Sequence, residues 1–526
     1  MSPPAPAVAS AAQTIPALIA DLAASHGDRV AAGDGRRQLT FAELDRQRRL
    51  AGRAMMALGM GPGERVALWA GNGLRWMVVA LAIQSVGAVL IPLSTRLKGR
   101  EVATVIGRAG ASWLFCDAGH GHYDFAKAVL GEGVLPAERI VVLDAERASG
   151  PTYWPGFAAL AERTSSGAFE AQARAIKGDD LADIIFTSGT TGVPKGVPMS
   201  HAQSLASCAA YGHVLGLTAA DVFAVTFPFA HNAGYRSGWL TALVHGARTV
   251  VVSDTAPEAL LSLLATEHVT YLPGVPTLHQ GLLDCPRLAE TDLSALRLTS
   301  TGATTIPVPL IQRMREGYGA AVITGYGLTE AAGTVSHCRI GDDDETVART
   351  VGRPIPGMEV TILGADGRPA APGQPGEVAI RGFTVARGYF EDPAATAEAF
   401  TADGFLRTGD VGVLDARGNL RITDRLKDMY IVGGFNCYPA EVEQQLCAMP
   451  GVAAAAVVGV PDARLGQVGR AFVTPAPGAS LTEDAVIAWV RERLAGYKAP
   501  RRVVFVDALP LNATGKVAKD ELRRRA

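Results

Sequence analysis

The sequence predicts an α/β protein: a large N-terminal domain of layered α/β subdomains with a small β-rich subdomain, followed by a small α+β C-terminal domain. Three observations carry this reading. Short apolar runs alternate with segments of helical periodicity as far as about Gly352, the pattern of layered sheets with buried, largely parallel strands. From there the texture changes to short strands broken by Gly, Pro and Asp. After Asp428 a compact unit of mixed helices and strands follows, long enough to fold as its own domain.

Taken in order, the apolar runs are Arg65–Trp69, Ala88–Ile91, Arg139–Leu143 and Thr249–Val252, and Gln203–Gly212 and Ala256–Glu267 have helical spacing. Trp76–Leu93 is the most membrane-like stretch, but Gln84, Gly87 and Pro92 interrupt it and its second half is β-branched, so it reads as a buried helix passing into a strand. Val360–Leu363, Gly376–Arg381 and Leu420–Thr423 are the strands of the β-rich subdomain. The last unit reads as helix Pro439–Ala448, strands Ala453–Val460 and Arg470–Thr474, helix Glu483–Leu494 and strand Arg502–Val506.

Composition limits the functions available. The 526 residues are 48% hydrophobic and 19% charged, which describes a folded chain with a sizeable core. Lys+Arg of 49 against Asp+Glu of 51 gives a net charge of −2, so no general basic field exists to hold nucleic acid or an acidic membrane. The six cysteines show no CxxC pairing and no neighbouring His cluster, which supports neither a disulfide framework nor a structural zinc site. Met1–Ala12 is Pro/Ala-rich without the charge and apolar pattern of an export signal, so a loose tail and a cytoplasmic protein are expected.

The sharpest local signal is Ile184–Gly196, a buried strand entering a loop of hydroxyls and glycines that carries Lys195. Backbone N–H groups, Ser/Thr hydroxyls and an ammonium wrap a polyphosphate because they supply many donors with little bulk. It is not a Walker A loop, since Pro194 precedes the lysine and Gly196 follows it. Composition alone also allows a flexible polar connector.

Thr187–Gly196 resembles the signature loop of the adenylate-forming superfamily of acyl-CoA synthetases, luciferases and peptide-synthetase adenylation domains. Three further matches occur in that family's order: Tyr326-Gly-Leu-Thr-Glu330, then Arg407-Thr-Gly-Asp410 with Asp424–Asp428, and last Asn512-Ala-Thr-Gly-Lys516. The resemblance spans nearly the whole chain. It implies that Thr187, Ser188, Gly189, Thr190, Thr191, Gly192 and Lys195 hold the phosphates of ATP, and that Glu330 with Thr187 holds a magnesium ion. Tyr326 would stack on adenine among Gly302, Ala303 and Gly327, with Thr329 at the α-phosphate. Asp410 would accept both ribose hydroxyls and Arg425 would add donors to the same sugar. Lys516 would bridge the incoming carboxylate and the α-phosphate, which makes Lys516, Glu330 and Lys195 the catalytic set. The small domain would turn between steps about Lys427, dividing the chain into a tail of residues 1–12 and domains 13–426 and 427–526. Gly433, Gly434 and Phe435 would border the CoA tunnel. Taken singly, Tyr326 also reads as a core aromatic, Asp410 as a turn cap, Gly433-Gly434 as a β-turn and Lys516 as a solvated surface lysine.

The activity so implied is magnesium- and ATP-dependent joining of a carboxylic acid to CoA through acyl-AMP. The absence of a GxSxG elbow fits a catalyst that controls phosphate charge rather than one that uses a nucleophilic side chain. The alternatives are a stand-alone adenylation enzyme loading a carrier protein, an aryl-acid CoA ligase, and a non-catalytic homologue. Pro228–Arg236, Gly302–Ile306 and Asp424–Asn436 most resemble bacterial ligases that activate the ring-bearing propanoate left by steroid catabolism, with medium-chain acids also in view. By the same resemblance His231, Ala233, Gly234 and Tyr235 line the acyl pocket, and the many small residues there and at Gly302, Ala303 and Gly327 suggest width for a bulky apolar acid. The expected partners are therefore small molecules; a homodimer is left open.

Overall fold

The computed structural model describes residues 12–120, 123–144, 152–187, 194–302, 306–425, 428–432, 435–462, 464–494, 496–512 and 517–525. Two large sheets form the N-terminal domain. In the nine-stranded sheet the inner strands, in spatial order Ala321–Tyr326, Leu298–Thr301, Tyr271–Gly274, Val222–Val225, Arg248–Val251 and Val30–Gly33, are all parallel. The seven-stranded sheet is parallel except at one edge, where Leu181–Thr187 pairs antiparallel with Lys195–Ser200. The largely parallel layers expected from the apolar runs are thus present.

Helices fill the space between these sheets. In Leu74–Ser85 every residue except Arg75 is buried, which is why the segment is apolar all round. It passes into strand Val89–Leu93. Among the described residues no helix is long and apolar enough to cross a membrane. Helix His201–Val214 begins directly after the antiparallel edge strand, where Ser200 and Gln203 satisfy each other's backbone N–H groups in a capping box.

The β-rich subdomain is a four-stranded antiparallel sheet of Met358–Leu363, Gly376–Gly382, Leu406–Leu414 and Leu420–Arg425. The C-terminal domain has a five-stranded sheet, in which Arg502–Phe505 adds parallel to Gly466–Pro475, with helices Pro439–Cys447 and Glu483–Arg493 packed on its own core. The expected order of elements there is observed, with strand ends moved by a few residues.

Candidate active site

The carboxyl ends of adjacent parallel strands are where open α/β sheets bind ligands, and here two of them carry predicted residues. Leu298–Thr301 leads into Gly302, and its neighbour Ala321–Tyr326 ends on Tyr326, with Thr301 and Thr324 in register. A Cβ added at Gly302 would rest in ordinary van der Waals contact with Gly325 O and Thr324 Oγ1, both at 3.6 Å, so among the described residues no close approach demands the glycine.

The Tyr326 hydroxyl donates to Asp410 Oδ2, tying the parallel sheet to the β-rich sheet. Asp410 is only 4% exposed and lies within a strand, opposite Arg425, rather than at a turn. The register shift against Gly376–Gly382 falls between Arg407 and Val411, so Gly409, at φ +70°, and Asp410 both lie in the irregular stretch that re-aims the strand. Glu377 holds that distortion by accepting from Arg407 Nε at 2.9 Å and Gly409 N at 3.2 Å.

The strands on either side of the phosphate loop, Leu181–Thr187 and Lys195–Ser200, pair as an antiparallel hairpin, so the chain continues from Lys195 in a strand rather than a helix. Thr187 and Lys195 close the hairpin as register partners, and the Thr187 hydroxyl donates to the Lys195 carbonyl at 3.4 Å. Ser188, Gly189, Thr190, Thr191 and Gly192 lie outside the described residues, as do Ala303, Lys427, Gly433, Gly434 and Lys516. Of Arg425 and Phe435 only the backbone is described.

Sequence reasoning missed Tyr389. The Lys195 ammonium sits 4.9 Å from the centre of the Tyr389 ring, and the Tyr389 hydroxyl donates to Glu330 Oε1 at 3.1 Å. Burial first, and then the Glu330 carboxylate, push the Tyr389 phenol up, so it stays a donor. Backbone bonds fix the same segment on both sides: Phe390 N to Gly196 O at 2.8 Å and Ala386 N to Glu330 O at 2.7 Å. Thus Thr187, Lys195, Tyr389 and Glu330 form one connected cluster, with Thr329 beside Glu330 in a short turn. No periodic or motif signal marks Tyr389; its importance comes only from where its loop docks.

In the predicted acyl segment, Ala233 N donates to His231 Nδ1 at 3.2 Å. His231 and Ala233 are half-buried. Tyr235 is fully buried among Trp76, Phe229 and Trp239, with its hydroxyl 2.5 Å from Gln84 Nε2. Gly234 and Gly327 have a different cause from the width first inferred. Added Cβ atoms there would meet Pro228 O at 2.2 Å and Gly333 O at 2.0 Å, so close backbone approach demands both glycines. The Asp183 carboxyl, on the strand entering the phosphate loop, is pushed up to about 6 by burial, with Arg236 opposing the rise.

The C-terminal domain contacts the large domain. Arg96 Nη1 donates to the carbonyl of Asn512, at the start of the segment carrying Lys516, at 3.1 Å. Asp424 accepts from Ala440 N at 2.8 Å, joining the end of the β-rich sheet to the first helix of the small domain.

Comparison with known proteins identifies the family. Residues 19–390 match the AMP-binding enzyme family and residues 441–516 match the AMP-binding enzyme C-terminal domain. A 7a-methyl-1,5-dioxo-octahydro-indenyl propanoyl:CoA ligase of Mycobacterium tuberculosis is 46% identical over 97% of this chain and 98% of its own. The ligase of the same name from Rhodococcus jostii is 43% identical over 97% and 98%. The anthranilate CoA ligase AuaEII, solved with anthranoyl-AMP, superposes with a TM-score of 0.84 at 26% identity, covering 97% of each chain. The chain therefore belongs to the AMP-binding enzymes of the adenylate-forming superfamily, and within them to the AMP-forming acyl-CoA ligases.

Proposed function

We propose that this ligase activates a bulky, mainly apolar acid, foremost a ring-bearing propanoate of the fused-ring type, and that the residues above act as follows. The observation that carries the assignment of roles is the cluster of Lys195, Tyr389 and Glu330 at the base of the phosphate hairpin, in the same loop system as the Tyr326–Asp410 pair.

A carboxylate resists thiol attack because it is anionic and its leaving group would be oxide. Attack of its oxygen on the α-phosphorus of ATP expels pyrophosphate and gives acyl-AMP; the CoA sulfur then attacks the acyl carbon, AMP leaves and the thiol proton is released. Lys195, Thr187 and the loop residues Ser188 to Gly192 hold the outer phosphates. The Tyr326 ring lies on adenine, with Gly302, Ala303 and Gly327 beside it and Thr329 toward the α-phosphate. Asp410 accepts the ribose hydroxyls, with Arg425 adding donors. A carboxylate has about four acceptor positions, so the Tyr326 bond leaves capacity while fixing its orientation. Lys516 offsets the charge of the two approaching anions. Between the half-reactions the domain 427–526 turns on domain 13–426 about Lys427, and Gly433, Gly434 and Phe435 then border the pantetheine path. The reaction is placed in the cytoplasm.

The donor set fits magnesium. Tyr389 takes one oxygen of Glu330, and among the described residues no cation pairs with the carboxylate and no group of three or more His, Cys, Asp or Glu side chains stands ready for a metal. One carboxylate suits an ion that keeps its waters and takes its remaining oxygens from phosphates. Bound there by Glu330 and Thr187, the ion would supply neutralisation of phosphate charge. Glu330→Gln keeps size and loses charge, so the magnesium concentration for half-maximal turnover should rise by about tenfold or more while Tm holds. An unchanged magnesium titration would remove Glu330 from this role.

Acid choice rests on the relative that is 46% identical and on the small side chains at Ala233 and Gly302. A panel of acids assayed for CoA-dependent AMP release should give the highest kcat/KM to a ring-bearing propanoate or a medium-chain acid. Acetate should be poorer by at least about a hundredfold, since each lost methylene-sized contact costs roughly 1–3 kcal/mol. Acetate or malonate as best substrate would overturn the acid assignment and leave the ligase class standing.

A further inference from the structure

Arg236 follows the acyl segment directly, in a widened helical turn over Tyr235–Leu240. Its side chain and that of Asp183 have no exposed surface, and the two form an ion pair. The same guanidinium donates through Nη1 to Asn232 Oδ1 at 2.7 Å and through Nε to Ser204 Oγ at 3.2 Å. Each partner belongs to a different part of the site. Asp183 lies on Leu181–Thr187, the strand that enters the phosphate hairpin. Ser204 lies on the helix that leaves it. Asn232 belongs to the acyl segment and packs against Gly333, where an added Cβ would come within 1.6 Å of Asn232 Nδ2. Gly333 follows Glu330 by one short turn. A second strut runs parallel: Gln84 Nε2 donates to both the Tyr235 hydroxyl, at 2.5 Å, and the Ala182 carbonyl, at 3.3 Å.

We propose that Arg236 is a positioning residue that fixes the acyl segment, the phosphate hairpin and the Glu330 turn in one register, so that the bound carboxylate and the α-phosphate meet in line. This rests on the reading that acid and ATP bind at those segments. A buried ion pair is a poor source of net stability, because apolar side chains of similar volume serve as well or better. What apolar side chains cannot do is join three separate elements with directed bonds, as a guanidinium fork does. Aligning two separate reactants is also the step most sensitive to a small shift, since a misplacement of about 1 Å can cost about a hundredfold. Once acyl-AMP exists, the acyl group and the phosphate are joined covalently and need no such alignment.

The test compares half-reactions. The variant Asp183→Leu/Arg236→Met removes both charges together and leaves no buried ion unpaired. It should keep Tm within a few degrees of wild type and KM for ATP and acid within about threefold, while kcat for acid-dependent ATP–pyrophosphate exchange falls about ten- to a hundredfold. CoA transfer from supplied acyl-AMP should stay within about threefold of wild type. Asn232→Ala, which removes one acceptor of the guanidinium and the packing of Asn232 on Gly333 and strands no charge, should shift exchange in the same direction by about three- to tenfold. Unchanged exchange kcat in both variants, or equal loss in both half-reactions by folded protein, would overturn the positioning role. Wild-type enzyme in the same assay separates the two readings: exchange with no acid at all would overturn the ligase assignment too, whereas a defect confined to the variants bears on Arg236 alone.

Discussion

Lys516→Ala is expected to lower acyl-AMP formation by about a hundred- to a thousandfold, the range seen when one preorganised donor to developing charge is removed. CoA transfer to supplied acyl-adenylate should change by less than about threefold. Carboxylate and triphosphate repel, and a single ammonium between carboxylate oxygen and α-phosphate oxygen lowers the energy of their approach. In the second half-reaction the attacking group is a thiol and the leaving group AMP, so that ammonium has no task. The sequence places Lys516 in the last motif, and the structure holds Asn512, at the start of that motif, on Arg96 of the large domain. Quenched-flow measurement of acyl-AMP with each half-reaction run separately checks this. Equal losses in both would count against the role.

Asp410→Ala is the second large effect. The two charge-assisted ribose bonds proposed for Asp410, at roughly 1.5–3 kcal/mol each, predict that kcat/KM for ATP falls by at least about a hundredfold. The Tyr326 hydroxyl would lose its acceptor as well, so adenine stacking should loosen with the sugar contact. The diagnostic is selectivity rather than rate alone. Wild-type enzyme should discriminate against 2′-deoxy-ATP, and the variant should treat the two nucleotides nearly alike. A variant that still prefers ATP strongly over the deoxy form would place the ribose elsewhere.

How much of this was legible in the sequence depended on whether the cause was local. Helix Leu74–Ser85 and strand Val89–Leu93 could be read from Trp76–Leu93 because an all-round apolar helix and a β-branched run differ within the segment itself. The C-terminal elements followed in the expected order for the same reason. The buried strand entering the phosphate loop was legible, but the antiparallel return from Lys195 was not, because pairing of Thr187 with Lys195 is set by the sheet edge around it. Tyr389 gave no signal, since one aromatic in a loop acquires meaning only by docking on Lys195 and Glu330. Asp183 did leave a trace: a carboxylate inside the apolar run Leu181–Phe186 is costly unless a partner meets it, and Arg236 does. Gly234 and Gly327 were read for the space they leave, whereas carbonyl oxygens pressing on them explain why they are glycines.

The central claim is that an acid is first joined to AMP and only then to CoA. The most direct measurement is acid-dependent ATP–pyrophosphate exchange in the absence of CoA, followed by product analysis after CoA is added. The account predicts exchange with a ring-bearing propanoate before any CoA is present, and then AMP, pyrophosphate and acyl-CoA in equal amounts. Exchange that requires CoA, or ADP and phosphate as the nucleotide products, would contradict it.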